Sequence, residues 1–312
     1  MGSERCIRDR SRIDEIKKAM NKYPNIEQNL EFHICDLLED SGWEEAVHGC
    51  EYVLHVASPF ILEVPNDEDV LIKPAVDGTL RVLKACSRSN VKKVVLTSSV
   101  AAVAYGHEKS KIYDESDWSN TGEDSGITPY AKSKTLAEKA AWDFLDNLDS
   151  EKKFDFTVIN PVGVFGPMLT SDIGTSNSLV SKLINGELPA CPATHMGYVD
   201  VRDVAKAHIF SMLNDSTNDK RIIVSESEMF FVDVGRILND AGFKKSPTKQ
   251  MPNWLVKILA LFVKELSGVT KSLGKRVDTD KSIAKSLFDW DYISAKDSII
   301  DTANQLSEMN KK

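Results

Sequence analysis

The sequence predicts an α/β fold in which a doubly wound parallel sheet is followed by a smaller, mostly helical C-terminal lobe. Short apolar strands alternate with helical patterns up to residue 167, and such alternation is typical of a parallel sheet covered by helices. Beyond that point the alternation weakens and helical patterns dominate. We therefore expect two units, residues 1–167 and residues 168–312, with residues 198–225 returning to the sheet of the first.

Four strand patterns define the first unit. Residues 30–35 carry alternating apolar side chains, whereas residues 52–56 are almost continuously apolar, as expected of a strand buried on both faces. Residues 93–98 and 154–159 complete the set. The helical patterns of the first unit cover residues 13–20, 43–47, 67–89 and 130–148, and those near the C-terminus cover residues 231–241, 253–266, 279–287 and 293–308.

Polar residues or prolines lie at or just after the end of each of these strands. Asp36 follows the first strand and Ala57-Ser58 the second, while Ser98-Ser99 and Asn160-Pro161 close the other two. In open parallel sheets the ligand binds at the carboxyl ends of the strands. The four strand ends therefore predict one binding site at a single edge of the sheet.

Tyr130 and Lys134 carry the pattern that points to chemistry. Four residues apart on the helix predicted at 130–148, they lie about 40° apart around its axis and share one face. A positive charge near a phenol favours its ionised form, and acid–base catalysis works best with a pKa close to the working pH. This arrangement suits the interconversion of a hydroxyl and a carbonyl group, with a serine hydroxyl polarising the same oxygen. Chance occurrence of the spacing is the alternative, and the ordered strand ends argue against it.

Composition and charge exclude several classes of protein. The chain has 312 residues, 42% of them hydrophobic and 28% charged, which is typical of a soluble globular protein. Its net charge of −8 disfavours nucleic acid and anionic membrane surfaces as partners. The five cysteines are widely spaced without a CxxC motif, and the six histidines do not cluster with them. We therefore expect free thiols in a reducing compartment and no metal site.

No targeting or membrane-spanning segment is predicted. The N-terminus lacks the apolar region of a secretory signal, so we expect a soluble cytoplasmic protein. The longest apolar run, residues 254–263, contains Lys257 and is half the roughly 20 residues that a membrane span requires. We expect this run to form a packed helix, with attachment to a membrane interface as the alternative.

The motifs together resemble the extended short-chain dehydrogenase/reductase family, and within it the group of dihydroflavonol reductases, cinnamoyl-CoA reductases and aldehyde/ketone reductases. The resemblance implies a Rossmann-like dinucleotide-binding domain over residues 1–167 and a mainly substrate-binding lobe over residues 168–312. It also implies reduction of an aldehyde or ketone with NADP, NAD being the alternative cofactor. The matching motifs occur in the family's order at Asp36-Leu37, residues 55–59, 95–99, 113–118 and 129–134, Asn160-Pro161, Gly166-Pro167 and residues 198–203.

The resemblance implies roles for three catalytic residues. Tyr130 would protonate the carbonyl oxygen, and Lys134 would lower the pKa of Tyr130 and hydrogen-bond the nicotinamide ribose. Ser99 would hold the substrate oxygen, with Ser98 as the alternative because the serine pair leaves the register open by one residue.

The resemblance also implies a cofactor site. Arg8 would grip a 2′-phosphate, which favours NADP because a guanidinium binds phosphate through two hydrogen bonds. The other cofactor contacts would be Asp36 and Leu37 at the adenine, Val56, Ala57 and Ser58 along the ribose and pyrophosphate, and Pro161, Val162, Gly163 and Val164 at the nicotinamide. The alternatives are a solvated charge run for Arg8, a helix cap for Asp36 and a strand terminator for Asn160-Pro161. His55 and His195 receive no role.

One feature of the family is missing from the sequence. Such folds begin with a strand and a glycine-rich turn that leads into a helix N-terminus at the pyrophosphate, yet the first glycine after Gly2 is Gly42. We expect an N-terminally incomplete reductase in which the central first strand is absent and two sheet edges are unpaired. We also expect weak or no NADP(H) binding by the chain as it stands.

Two other functions remain open at this stage. The same three catalytic residues would serve a 3β-hydroxysteroid-type dehydrogenase or a sugar-nucleotide epimerase/dehydratase, although no basic pocket for a nucleotide is evident in the C-terminal sequence. A truncated, non-catalytic binding protein is the second alternative. Phe60, Ile61, Tyr105 and Met168 hint at an apolar carbonyl substrate. We expect a monomer, or a homodimer formed through the long helices at 67–89 and 130–148.

Overall fold

The computed structural model describes residues 3–6, 12–21, 23, 29–59, 65 and 67–310. Three residues singled out in the sequence, Arg8, Phe60 and Ile61, lie outside the described residues.

Eleven strands and eleven α-helices are found in the described residues. The strands are β1 (Ser3–Cys6), β2 (Leu30–His33), β3 (Tyr52–His55), β4 (Lys93–Thr97), β5 (Ile112–Tyr113), β6 (Asp155–Pro161), β7 (Gly163–Phe165), β8 (His195–Asp200), β9 (Lys220–Val224), β10 (Ser227–Phe230) and β11 (Asp278–Thr279). The helices are α1 (Arg12–Met20), α2 (Trp43–Val47), α3 (Asp69–Ser87), α4 (Pro129–Asp146), α5 (Thr175–Asn185), α6 (Val201–Leu213), α7 (Phe231–Asp240), α8 (Asn253–Leu259), α9 (Lys264–Ser267), α10 (Ser282–Leu287) and α11 (Ala295–Met309).

A four-stranded parallel sheet in the order β3-β4-β6-β9 forms the centre of the molecule. Successive residues of β4 point to opposite faces, and both faces are buried because helices cover each of them. Val94 packs in a cluster with α2, α3 and α4, whereas Val95 packs in a cluster with α6 and α10. The predicted class, a doubly wound parallel sheet, is confirmed.

The two long helices α3 and α4 use their apolar residues inside this chain. Val82 and Leu83 of α3 share a buried cluster with Ala141 and Leu145 of α4 and with the inner face of the sheet. These apolar residues therefore pack within one chain, whereas a homodimer through the two helices would require them to contact a second copy. The oligomeric state stays a prediction.

A second parallel sheet consists of β1 and β2 alone. In the doubly wound fold the strand order is 3-2-1-4-5-6. Strands β1 and β2 of this chain correspond to strands 2 and 3 of that order, and β3 corresponds to strand 4. Within the described part of the chain no strand links β1 to β3, so β3 keeps one edge without a partner strand. On one face of β3, Leu54 and Val56 are 39% and 60% exposed. The interruption that the sequence predicted therefore lies between β1 and β3.

The C-terminal half contributes to both sheet systems. A smaller sheet in the order β10-β8-β7 packs with α5, α7 and α11 around buried residues such as Phe165 and Tyr198. Strand β9 instead extends the central sheet beside β6. Residues 198–200 thus end a strand of the smaller sheet, and residues 220–224 belong to the central one. The division of the chain at residue 167 stays a prediction.

The prediction of a packed helix at residues 254–263 is wrong. Helix α8 and the turn after it leave Trp254, Leu261 and Phe262 exposed to 64%, 79% and 81%, and Val256 is the buried residue of α8. Apart from Lys257 the run is apolar, whereas the buried residue of α8, Val256, lies on one side of the helix. Within the described ranges, no helix has the length and apolar character needed to cross a bilayer.

The described residues contain free cysteines and no cluster of side chains that could bind a metal ion. Cys35, Cys50, Cys86 and Cys191 are free thiols, as the sequence predicted. In the part of the chain that the structure describes, no three His, Cys, Asp or Glu side chains lie close enough together to hold a metal ion.

Gly235 tests how tightly the C-terminal lobe is packed. A Cβ at this position of α7 would stand 2.0 Å from the carbonyl oxygen of Pro247, a backbone atom. We expect Gly235→Ala to lower the free energy of unfolding by about 1–3 kcal/mol, although alanine favours helices by about 1 kcal/mol. Urea denaturation measures this. Gly174→Ala is the matched control because nothing lies within 4 Å of its Cβ, and equal effects of the two substitutions would contradict the packing argument.

Candidate active site

A cavity of about 910 Å³ opens at the carboxyl ends of β3, β4 and β6. Its walls come from these strand ends, from the first turns of α4 and from two loops of the C-terminal half, residues 166–177 and 268–277. The strand ends thus meet at one edge of the sheet, as parallel strands require. The second loop was not singled out in the sequence.

Of the predicted site residues that the structure describes, nine line this one cavity and three do not. Asp36 accepts a hydrogen bond from the backbone N–H of Leu38 (3.0 Å) just after β2, while Leu37 packs against Gly78 of α3. Ala57 is not among the lining residues, and Arg8 lies outside the described residues. The nine that line the cavity are Val56, Ser58, Ser99, Tyr130, Lys134, Pro161, Val162, Gly163 and Val164.

Tyr130 is positioned by the first turn of α4. Thr128 caps the helix by accepting a hydrogen bond from the N–H of Ala131 (3.2 Å), and Pro129 occupies the first helical position, where its missing N–H costs nothing. The side chain is half-buried, and the phenol shares a hydrogen bond with the hydroxyl of Ser99. Burial raises the pKa of Tyr130, and the bond to Ser99 lowers it by a smaller amount.

Lys134 lies one helical turn behind Tyr130. Its Nζ donates to the carbonyl oxygen of Thr97 over 3.4 Å, and burial lowers its pKa to about 8 against the opposing effect of Glu138. The expected depression of the Tyr130 pKa by Lys134 is not found in this structure. Desolvation raises the pKa of the phenol, and the group that lowers it is Ser99, not Lys134. The site therefore favours a neutral phenol, which is the form that donates a proton.

The serine pair at the end of β4 divides between two tasks. Ser98 is buried, and its hydroxyl donates to Oε2 of Glu138 (2.5 Å). Ser99 accepts from the N–H of Ala101 (3.1 Å) and bonds Tyr130. Adjacent residues of an extended strand point in opposite directions, so only one of the two faces the phenol. The geometry places Ser99 there.

A buried carboxylate that the sequence did not single out connects the strand ends. Glu138 has a side chain that is 0% exposed, and it accepts hydrogen bonds from Ser98, from Nδ2 of Asn160 (2.7 Å) and from Nε of Arg221 (2.5 Å). Arg221 in turn lies 3.7 Å from the ring centroid of Trp118. Asn160 is therefore more than a strand terminator. The sequence does carry one indication of this role for Glu138: it follows Lys134 by four residues and therefore lies on the same face of the helix.

Two of the four residues that the sequence suggested as contacts of an apolar substrate lie at the cavity. Tyr105 and Met168 line the cavity, whereas His55 and His195 do not. His195 accepts a hydrogen bond from the N–H of Val277 (3.1 Å), which holds the loop at 268–277. Four basic residues also line the cavity: Lys109, Lys271, Lys275 and Arg276. This corrects the sequence argument that no basic pocket is available.

Comparison with known proteins gives three findings. The model of the NAD dependent epimerase/dehydratase family matches residues 5–224. The chain is 36% identical over 250 residues to a cinnamoyl-CoA reductase of Medicago truncatula, covering 78% of this chain and 72% of that protein. It is 32% identical over 317 residues to the NADPH-dependent methylglyoxal reductase of Saccharomyces cerevisiae, covering 96% and 89% of the two chains.

A solved structure is similar to this chain over nearly its whole length. The crystal structure of yeast methylglyoxal/isovaleraldehyde reductase complexed with NADPH superimposes with a TM-score of 0.79 at 30% identity. The match covers 99% of this chain and 92% of the yeast chain.

His55 at the end of β3 predicts an acid-sensitive site. Its ring is buried, its Nε2 has no hydrogen-bond partner among the described residues, and burial, followed by the charge of Lys134, lowers its pKa to about 4. Because the unfolded chain protonates first, stability is lost as the pH falls from 6.5 towards 4, by about 2 kcal/mol near pH 5. Urea denaturation at neutral pH and near pH 5 measures this loss. His55→Asn should remove it and the exposed-site control His48→Asn should retain it; an unchanged loss in His55→Asn would disprove the assignment.

Proposed function

The chain belongs to the NAD dependent epimerase/dehydratase family of extended short-chain dehydrogenases/reductases, and from this premise we propose that it reduces an aldehyde or ketone to the alcohol with NADPH. The observation that carries the proposal is the hydrogen bond between Ser99 and Tyr130 on the wall of the cavity, with Lys134 one turn behind. Two hydroxyl groups thereby converge where a substrate oxygen would lie.

Each of the three residues has a separate task. Tyr130 remains a neutral phenol because burial raises its pKa, so it transfers its proton to the carbonyl oxygen as negative charge develops there. The hydroxyl of Ser99 donates to the same oxygen and stabilises that charge. The ammonium of Lys134, which donates to Thr97 over 3.4 Å, supports the phenolate left after the transfer and would hold a ribose hydroxyl of the cofactor. The nicotinamide, when bound, supplies the hydride.

The residues present fit the nicotinamide end of the cofactor. Pro161, Val162, Gly163 and Val164 line the cavity beside Tyr130, and the backbone at Gly163 is so close to its neighbours that a Cβ would lie 2.9 Å from the carbonyl oxygen of Gly197. This wall would pack against the nicotinamide ring. Lys134 and Ser58 would lie along the ribose side.

The pyrophosphate end finds no matching cradle in the described residues. Gly42 begins α2 with a positive φ of 87°, but a Cβ there would lie 2.7 Å from the carbonyl oxygen of Ile34. This glycine therefore serves a tight packing contact and not an open phosphate turn. Weak NADPH binding stays the expectation, and calorimetric titration tests it; tight binding by the chain would contradict it.

NADPH is favoured over NADH by the relatives. The yeast reductase is named as NADPH-dependent, and the solved yeast structure is a complex with NADPH. The resemblance assigns the 2′-phosphate to Arg8, which lies outside the described residues.

A nucleotide-sugar or other phosphate-bearing substrate is the second candidate. The observation that favours it is the group of basic residues on one side of the cavity, of which Lys271 makes no ion pair with the described residues. The two candidates differ in a simple assay. An aldehyde reductase oxidises NADPH stoichiometrically with methylglyoxal or isovaleraldehyde, whereas an epimerase returns its cofactor unchanged. A non-catalytic protein does neither.

Tyr130→Phe tests the assignment of the proton donor. At saturating NADPH we expect the reduction of methylglyoxal and isovaleraldehyde to fall by about 10²–10⁴-fold, because the phenyl ring has no proton to give. NADPH affinity should stay within about threefold of the wild-type value, since the ring still lines the cavity. Tyr52→Phe, at a tyrosine outside the cavity, should change neither quantity. Turnover by Tyr130→Phe within about tenfold of wild type would refute the assignment.

The two serines should separate in a matched pair of alanine variants. Ser99→Ala should reduce kcat/KM by about 10–10²-fold with little loss of stability, because it removes a donor to the substrate oxygen. Ser98→Ala should lower the free energy of unfolding by about 1–3 kcal/mol, because it removes one hydrogen bond from the buried Glu138. Steady-state kinetics and urea denaturation of both variants give the answer, and the reverse ranking would assign the catalytic role to Ser98.

A further inference from the structure

An exposed apolar surface lies on α8 and the turn that follows it. Trp254, Ile258, Leu261 and Phe262 are 64%, 48%, 79% and 81% exposed. Helical hydrogen bonds continue past α8, from the N–H of Leu261 to the oxygen of Ile258 and from the N–H of Val263 to that of Leu259. A spacing of four, three and one residues on a helical segment places these side chains on one side. We call these four residues the apolar face.

The segment around the apolar face is strongly basic. Residues 244–276 contain eight lysines and arginines and a single glutamate, giving a formal charge of +7. The whole chain carries −8, so the remainder carries −15. This basic segment of an acidic protein contains Leu261 and Phe262, which have the highest exposed fractions among the large apolar side chains described. The net charge of the whole chain does not reveal this difference between residues 244–276 and the remainder.

A shallow hollow joins the two features. It has a volume of about 580 Å³ and is lined by Lys257 of α8, by Lys271 and, between them in the sequence, by Leu261 of the apolar face. Neither lysine forms an ion pair with any described residue. Lysine side chains can extend their ammonium groups towards phosphates while their methylene stems stay on apolar surface.

We propose that the apolar face docks onto an anionic membrane surface. Trp254, Leu261 and Phe262 would enter the boundary between headgroups and acyl chains, and Lys257 and Lys271 would contact lipid phosphates and serine carboxylates. Basic segments that carry exposed tryptophan, phenylalanine and leucine bind interfaces in this way. This differs from a membrane span, since the segment lies on the bilayer and does not cross it.

Charge distinguishes the membrane from a second copy of the chain. Two apolar faces pressed together would bring Lys257 and Lys271 of both copies to one interface, and like charges across an interface are unfavourable. A nucleic acid would satisfy the lysines but leave the apolar face in water. An anionic lipid surface satisfies both at once.

Sedimentation with lipid vesicles tests the proposal on the full chain. The probes are phosphatidylcholine vesicles with and without about 30% phosphatidylserine, at about 0.1 M and about 0.5 M salt. We expect binding to the anionic vesicles, at least tenfold weaker binding to pure phosphatidylcholine, and weaker binding at the higher salt concentration. Absence of binding to the anionic vesicles would overturn the proposal.

Variants locate the binding surface. Leu261→Ser combined with Phe262→Ser should weaken binding to anionic vesicles by at least about tenfold, since it removes two inserted side chains. Lys257→Gln combined with Lys271→Gln should weaken it by about fivefold for each lysine. The controls are Leu213→Ser, at a leucine that is 61% exposed on α6, and Lys84→Gln combined with Lys296→Gln. Binding that is unchanged in the first two variants would overturn the proposal.

Light scattering of the same proteins without lipid separates the remaining outcomes. A wild-type dimer that becomes monomeric in the Leu261→Ser, Phe262→Ser variant and ignores vesicles would assign the face to a second copy instead. A monomer that binds vesicles through these residues supports the membrane surface. Because all substituted side chains are exposed, unchanged unfolding midpoints will show that the variants are folded.

Discussion

The buried carboxylate of Glu138 is the interaction on which the site depends. A charge without exposed surface is tolerated in a protein only when its partners replace water. Here the partners are Ser98 at the end of β4, Asn160 at the end of β6 and Arg221 in β9. One side chain of α4 therefore ties the helix to three adjacent strands. The face that presents Tyr130 and Lys134 is fixed by this contact.

Burial then sets the protonation of the reacting groups. It raises the pKa of Tyr130 and lowers that of Lys134, and it does so because both side chains are enclosed by strand ends and loops. The same enclosure lowers the pKa of His55 on the neighbouring strand. The electrostatics of the site are thus dominated by desolvation, and pairwise attraction between tyrosine and lysine contributes less than their spacing suggests.

Local patterns predicted the parts of the site that lie close together in sequence. Apolar runs located the strands, and residues such as Ser99 and Pro161 followed from the rule that parallel strands end at one edge. Contacts between distant segments gave no such signal: Arg221 reaches Glu138 across 83 residues, and the cavity wall at 268–277 is held by His195. The apolar face at α8 and the following turn was expected to be packed, with attachment to a membrane interface as the alternative, because an apolar run does not reveal how many of its sides are covered. The sign of the Tyr130 shift depends on burial, which sequence spacing does not measure.

The interrupted sheet has a consequence for how the molecule opens. Strands β1 and β2 are hydrogen-bonded to each other, and β4 and β6 are bonded on both sides within the other sheet. Units that share few backbone hydrogen bonds unfold separately and at different free energies. Amide protons of β1 and β2 should therefore exchange with solvent well before those of β4 and β6. Within the described residues the edge of β3 has no partner strand, so we expect it to be a position at which a foreign strand can add to the sheet.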